Sequence, residues 1–281
     1  MDNVSQTAVF AAQVRAAHSL LDRHPIFEDP YALLLADSSE DDVRDLFSAI
    51  PDGVARVARV LPSQRARFVD EEVERAVRTG IDQYVIMGAG LDSFAWRRED
   101  LMSDLELFEV DHPATQAWKR MRAESVGLEC TSNLHFVGVD FSIGQQLSDG
   151  LTAAGFDPLR PSIWSWLGVI VYLTVEAVES TFGSVVQMAA PRSRLIASYT
   201  VTKDLMDSAS REFDDLARAA SAEGDEPHIT FMAPGDIEKI AKRAGFADVR
   251  SVDPSSFLPW FSQRTDGLRP VSYEWILVAD T

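Results

Sequence analysis

Residues Gln83-Tyr84-Val85-Ile86-Met87 run into Gly88-Ala89-Gly90-Leu91-Asp92-Ser93, and a second apolar run from Leu105 ends in Asp111. An apolar strand, a glycine turn and a later strand ending in an acid is the order in which an open α/β sheet receives an adenosine-containing ligand. One strand tip offers bare backbone, because Gly88 and Gly90 let the turn bend sharply. The other offers a carboxylate that can accept from both ribose hydroxyls. The third glycine of a dinucleotide turn is missing, since Ser93 occupies its place. A pyrophosphate needs the close helix approach that this glycine permits. A cofactor without phosphates does not. Taken alone, the turn also reads as a plain strand-to-helix connection, and Asp111 as a helix cap before Pro113.

The 281 residues suit one large α/β domain or two small ones, and a hydrophobic share of 46% gives that fold a substantial core. Acids outnumber bases by 44 to 26, for a net charge of -18. Such a surface argues against a nucleic-acid partner, which needs a basic face. It does not argue against a small substrate, because the field in a cleft can oppose the global one. The single cysteine, Cys130, excludes a disulfide within the chain and a cysteine-based zinc site, and it points to a reducing cytoplasm. No basic, then apolar, leader follows Met1, so no secretory signal is expected. The most apolar stretch, around Ile163 to Val175, is interrupted by Ser165 and Thr174 and is too short for a membrane span. His18, His24, His112, His135 and His228 show no metal-ligand spacing, so no metal is expected. Hydrolase elbows and phosphate loops of the GxSxG and GxxxxGK[ST] types are absent as well.

Residues 1–80 read as a helical extension, with Ala8, Ala11, Ala12, Ala16, Ala17, Leu20 and Leu21 on one face and a charged amphipathic helix from Gln64 to Arg78. From Ile81 the pattern alternates. Strands are expected near 83–88, 105–111, 134–140, 162–169, 194–200, 248–253 and 272–279, and helices near 113–126, 144–154, 175–190, 203–222 and 234–244. Alternation of this kind means parallel strands with right-handed crossovers. The last two strands lack a crossover helix, which makes an antiparallel pair. The expectation is one α/β domain over 1–281: a Rossmann-like, seven-stranded, mostly parallel sheet whose last strand is antiparallel. A cofactor-binding core covers 81–200, a candidate lid 201–232, and a C-terminal helix and strand pair 233–281.

Several strand ends carry chemistry. Asp140-Phe141 can hold an adenine, the acid accepting from its amino group and the ring packing on its face. A surface acid capping a turn is the alternative. Trp164 to Leu173 ends the fourth strand, where Gly168 permits close approach and Tyr172 can meet a substrate. Arg15, Arg65 and Arg67 are cations in the helical extension, and an arginine fork suits the carboxylate of an amino-acid tail.

Together these segments resemble the leucine carboxyl methyltransferase-like family, which includes polyketide O-methyltransferases from actinobacteria. The matching residues are Arg15-Ala16-Ala17-His18, Phe27 to Ala32, Arg65 to Asp70, Gly88 to Ser93, Glu109-Val110-Asp111-His112-Pro113, Val139-Asp140-Phe141, and Leu167-Gly168-Val169 with Tyr172-Leu173. The resemblance implies a class I methyltransferase fold and an S-adenosylmethionine cofactor. It implies Gly88, Ala89 and Gly90 as the cofactor turn, Asp111 with His112 at the ribose, Asp140-Phe141 at the adenine, and Arg67 or Arg15 at the methionine carboxylate. Leu167, beside the cofactor in this pattern, stands where many members have Glu, so a role of that Glu in holding the amino group does not carry over. Phe94 stands where many members have Arg.

Methyl transfer from a sulfonium is an in-line displacement, and the acceptor decides whether a base is needed. A carboxylic acid, of pKa about 4, is ionised at pH 7, whereas a phenol, of pKa about 10, benefits from a base. Apart from His112, placed on the cofactor side, no histidine base is evident at a strand end, and the family's name also favours a carboxylate. The expectation is therefore O-methylation of a small-molecule carboxylate in polyketide-type metabolism, with Tyr172 and Tyr199 as substrate contacts. Phenol methylation, methylation of a protein C-terminus and cofactor binding without catalysis stay open, as does a nicotinamide dehydrogenase.

Overall fold

The structure is a computed structural model that describes residues 6–139, 147–222 and 227–281. Four helices come first: α1 (Gln6–Leu21), α2 (Ala32–Ala36), α3 (Glu40–Ser48) and α4 (Asp52–Arg78). Strands and helices then alternate through β1 (Gln83–Met87), α5 (Phe94–Arg97), α6 (Glu99–Met102), β2 (Glu106–Asp111), α7 (Pro113–Ser125), β3 (Leu134–Gly138), α8 (Leu147–Ala153) and β4 (Ile163–Trp166). They continue with α9 (Val175–Met188), β5 (Arg194–Thr200), α10 (Ser208–Ala222), α11 (Pro234–Ala244), β6 (Asp248–Val252), α12 (Leu258–Phe261) and β7 (Glu274–Asp280).

These seven strands form one sheet in the order β3-β2-β1-β4-β5-β7-β6. The pairs from β3 to β5 are parallel, and β7 runs antiparallel between β5 and β6. The expected mostly parallel sheet with an antiparallel last strand is what forms. All five residues of β1 are buried, as a central strand covered on both faces requires. Strand order reverses between β1 and β4, and ligands of open α/β sheets sit at such a switch point, outside the carboxyl ends of the strands.

Three local expectations are corrected. Helix α4 begins at Asp52 rather than Gln64, because it runs through Pro62. A proline removes one helical N–H, yet tertiary packing holds this one: Pro62 and Gln64 are buried, and Gln64 Nε2 donates to the Val271 carbonyl at 3.0 Å. Strand β4 stops at Trp166, and Gly168 turns the chain at φ +68°. The segment before β7 is not free of helix: Asp253 accepts from Ser255 N at 2.6 Å, starting a helical turn over Pro254–Phe257 that leads into α12. No helix among the described residues is long and apolar enough to cross a membrane.

The helical extension is fastened to the turn after β1. The Arg15 guanidinium bonds Asp29 at 3.0 Å and donates to the Leu91 carbonyl at 2.6 Å. Arg97, which follows the turn, pairs with Asp70 of α4 and lies 4.5 Å from the Phe27 ring centroid. Burial would raise the Asp29 pKa, but the charges of Arg15 and Arg97 outweigh it and hold the carboxyl below its ordinary 3.8. A depressed carboxyl stabilises the fold above its ordinary pKa, and that contribution is lost as pH falls through the lowered value. Arg15→Met strands a buried carboxylate and should cost about 3 kcal/mol at pH 7. Denaturant titrations should show this gap narrowing below about pH 4; a gap that does not depend on pH would contradict the assignment.

Candidate functional site

The turn after β1 is built from two residues in left-handed conformation, Gly88 at φ +65° and Gly90 at φ +50°. The amides of Gly88 and Ala89 both donate to the Val110 carbonyl of β2, at 2.9 and 3.1 Å. The Gly90 amide donates to Asp111 Oδ2 at 2.6 Å, and the His112 amide to Oδ1 at 2.6 Å. Turn and acid are thus one unit. An ionised carboxylate has about four acceptor positions, and these bonds fill two. Burial raises the Asp111 pKa, and the two amide bonds oppose the rise.

The turn after β1 meets the exit of β4 at the switch point. A Cβ on Gly88 would lie 2.6 Å from Val169 Cγ2, and one on Gly168 would lie 2.5 Å from Arg65 Nη2. From the extension, α1 closes on the same place, since a Cβ on Gly90 would lie 3.3 Å from Ala8 Cβ. Arg65 is held there by Glu274 at the start of β7, at 2.8 Å, and both side chains are largely buried.

The residues singled out in the sequence separate into two groups. Gly88, Ala89, Gly90, Asp111 and Leu167 gather at the tips of β1, β2 and β4. His112 caps α7, its Nδ1 accepting from Ala114 N at 3.2 Å, and its side chain is exposed. Arg15 reaches the carbonyl side of the turn, as described above. Arg67 faces elsewhere: it pairs with Glu71 at 3.0 Å, donates to the Ile26 carbonyl and lies 4.6 Å from the Trp260 ring centroid. Arg67 stands two positions after Arg65, which is roughly 200° around a helix, so only one of them can face the switch point. Tyr199 is 1% exposed and donates to Ser251 at 2.9 Å, so its hydroxyl is used between β5 and β6. Tyr172 stands beyond β4, with His228 as a ring neighbour at 5.2 Å. Asp140 and Phe141 lie outside the described residues.

Other groups were given no role from the sequence, although Glu109 stands in the matching run before Asp111. Glu109 and Lys119 form a fully buried pair at 2.5 Å beneath the Asp111 tip, and burial raises the Glu109 pKa. Glu109 Oε1 has no partner among the described residues. Glu274 and Tyr273 come from the far end of the chain, and His228 from the segment before α11. Only three-dimensional proximity links them to β4.

The leucine carboxyl methyltransferase family model matches residues 8–186. A protein from Bacillus subtilis (strain 168), provisionally named S-adenosyl-L-methionine-dependent methyltransferase YktD, is 29% identical over 94% of this chain and 93% of its own. A Frankia alni protein with the same kind of provisional name, FRAAL5401, is 34% identical over 69% of this chain, and the match spans 63% of its length. A crystal structure of a provisionally assigned methyltransferase from Thermobifida fusca YX superposes with a TM-score of 0.60 at 18% identity, covering 98% of this chain and 97% of that one. That last likeness speaks for the fold.

The close contact at the switch point can be measured. Gly127→Ala introduces a left-handed alanine with nothing within 4 Å, whereas Gly88→Ala adds the overlap with Val169. The first should cost about 1 kcal/mol. The second should cost about 1–3 kcal/mol more, and Val169→Ala should recover part of that excess in thermal melts. Equal losses for the two alanines would contradict the contact.

Proposed function

Since the chain belongs to the leucine carboxyl methyltransferase family, we propose that it transfers the methyl group of S-adenosylmethionine to an oxygen of a small molecule. Bound at the switch point, that cofactor supplies an electrophilic methyl on a sulfonium. The residues present suit it. The glycine turn presents bare backbone at the strand tip, and Gly88 and Gly168 let Val169 and Arg65 pack directly against it, since a Cβ at either would overlap them. Asp111 keeps acceptor positions for a ribose. Arg65, at the β4 exit, is our choice for the methionine carboxylate, with a guanidinium already fixed by Glu274. Leu167 is apolar and cannot accept from the amino group. Asp140 and Phe141 remain proposed for the adenine.

The observation that carries this reading is the docking of Asp111 on the Gly90 amide at 2.6 Å, which joins the turn and the ribose acid into one cradle. The protein's remaining task is to position the acceptor oxygen in line and keep water out. A small polyketide-type acceptor belongs to the same proposal. The preference for a carboxylate acceptor rested on the family's name and on the lack of a histidine base at a strand end beyond His112. The structure puts His228 beside Tyr172, so the second ground no longer holds.

Isothermal titration with S-adenosylmethionine should show one site per chain. Asp111→Ala should weaken it about 10- to 100-fold, the loss of charged hydrogen bonds worth about 1.5–3 kcal/mol. Wild-type affinity in that variant, or heat from NAD in place of S-adenosylmethionine, would refute the reading.

A further inference from the structure

Between α10 and α11, the chain returns to the exit of β4. The Ile229 and Thr230 amides both donate to the Val171 carbonyl, at 2.8 and 3.1 Å, and the Thr230 hydroxyl bonds the Leu173 carbonyl. These bonds hold half-buried His228 against the β4 exit. Its ring centroid is 5.2 Å from that of Tyr172, edge to face, and its Nδ1 is 3.2 Å from the Tyr273 hydroxyl. Tyr273 precedes Glu274, the partner of Arg65, and Arg65 lies against Gly168. A short run of contacts therefore connects His228 to the tip where the cofactor is proposed to sit.

We propose that His228, oriented by Tyr273, is the general base for the acceptor, and that the acceptor is a phenol or a comparably acidic hydroxyl. This rests on the methyl-transfer reading above. When the Tyr273 oxygen accepts from His228 Nδ1–H, the ring is held as the Nδ1–H tautomer. Nε2 then carries the lone pair. As the acceptor oxygen forms its bond to the methyl carbon, the carbon–sulfur bond breaks with its electron pair returning to sulfur. The hydroxyl proton passes to Nε2 and is later released to water.

The surroundings keep the ring neutral at working pH. Burial lowers the His228 pKa and Arg218 of α10 adds to that, while Glu274 of β7 and Asp214 of α10 oppose it. Tyr172 and Tyr273 are the other titratable groups beside it. A positioned base contributes about 10²- to 10⁴-fold. A carboxylate acceptor would need none.

The test uses the full chain, a series of substituted phenols of decreasing pKa, and the variants His228→Gln and Tyr273→Phe, each checked by thermal melt. Both should bind S-adenosylmethionine within about twofold of wild type. His228→Gln should lose about 100-fold or more in kcat for weakly acidic phenols. The deficit should shrink for 4-nitrophenol and shrink again as pH rises toward each phenol's own pKa. Independently of turnover, imidazole ¹⁵N NMR of the free protein should show His228 neutral at pH 7 with the proton on Nδ1, and Tyr273→Phe should mix the tautomers. If His228→Gln does not fold, Tyr273→Phe carries the kinetic test. A loss that is the same for every phenol and every pH, wild-type turnover in the variants, or methylation of carboxylic acids alone would overturn the proposal. A wild-type chain that takes up no S-adenosylmethionine would instead remove the methyl-transfer reading, and this inference with it.

Discussion

Two arginines hold the helical extension on the turn that follows β1, and the site's geometry depends on them. Arg15 joins Asp29 to the Leu91 carbonyl, and Arg97 joins Asp70 to the same region. Buried ion pairs contribute little net stability against apolar replacements, but breaking one side is costly, so they fix geometry more than they add stability. Here the geometry fixed is that of a wall. With the extension clamped, Ala8 covers Gly90 and Arg65 reaches Gly168. Without it, the strand tips would face open solvent.

The sheet was legible because its signal is local. Apolar runs of five to seven residues, glycine turns and intervening helical periods place each strand to within a few residues, and the missing crossover before β7 fixes its direction. The cradle was legible for the same reason, since Gly88, Gly90 and Asp111 sit at the ends of strongly patterned strands. What escaped depends on phase or on distance along the chain. Pro62 disguised the start of α4, because a proline inside a helix is tolerated only where packing compensates. The choice between Arg65 and Arg67 needs the rotation of that helix relative to the sheet. Tyr199 points from a strand like any candidate contact, and only its bond to Ser251 shows that its hydroxyl is engaged. His228 lies some sixty residues beyond the β4 exit, so no spacing rule could pair it with Tyr172.

The protein's charge of -18 makes these local cations more telling. Arg65 is placed beside a strand tip at the expense of burying Glu274 with it, and Lys119 is buried to partner Glu109 beneath Asp111. Each cation is offset by its own buried carboxylate, so the pairs fix where the guanidinium and ammonium groups stand rather than make the strand tips net positive.

One cradle, formed by the β1 turn, Asp111 and the β4 exit, is proposed to receive S-adenosylmethionine against the helical wall. A crystal structure with S-adenosylhomocysteine tests it most directly. The nucleoside should lie at the β1–β4 switch point, with its ribose on Asp111 and its carboxylate toward Arg65. Ligand density elsewhere on the molecule, or a ribose that does not touch Asp111, would contradict it.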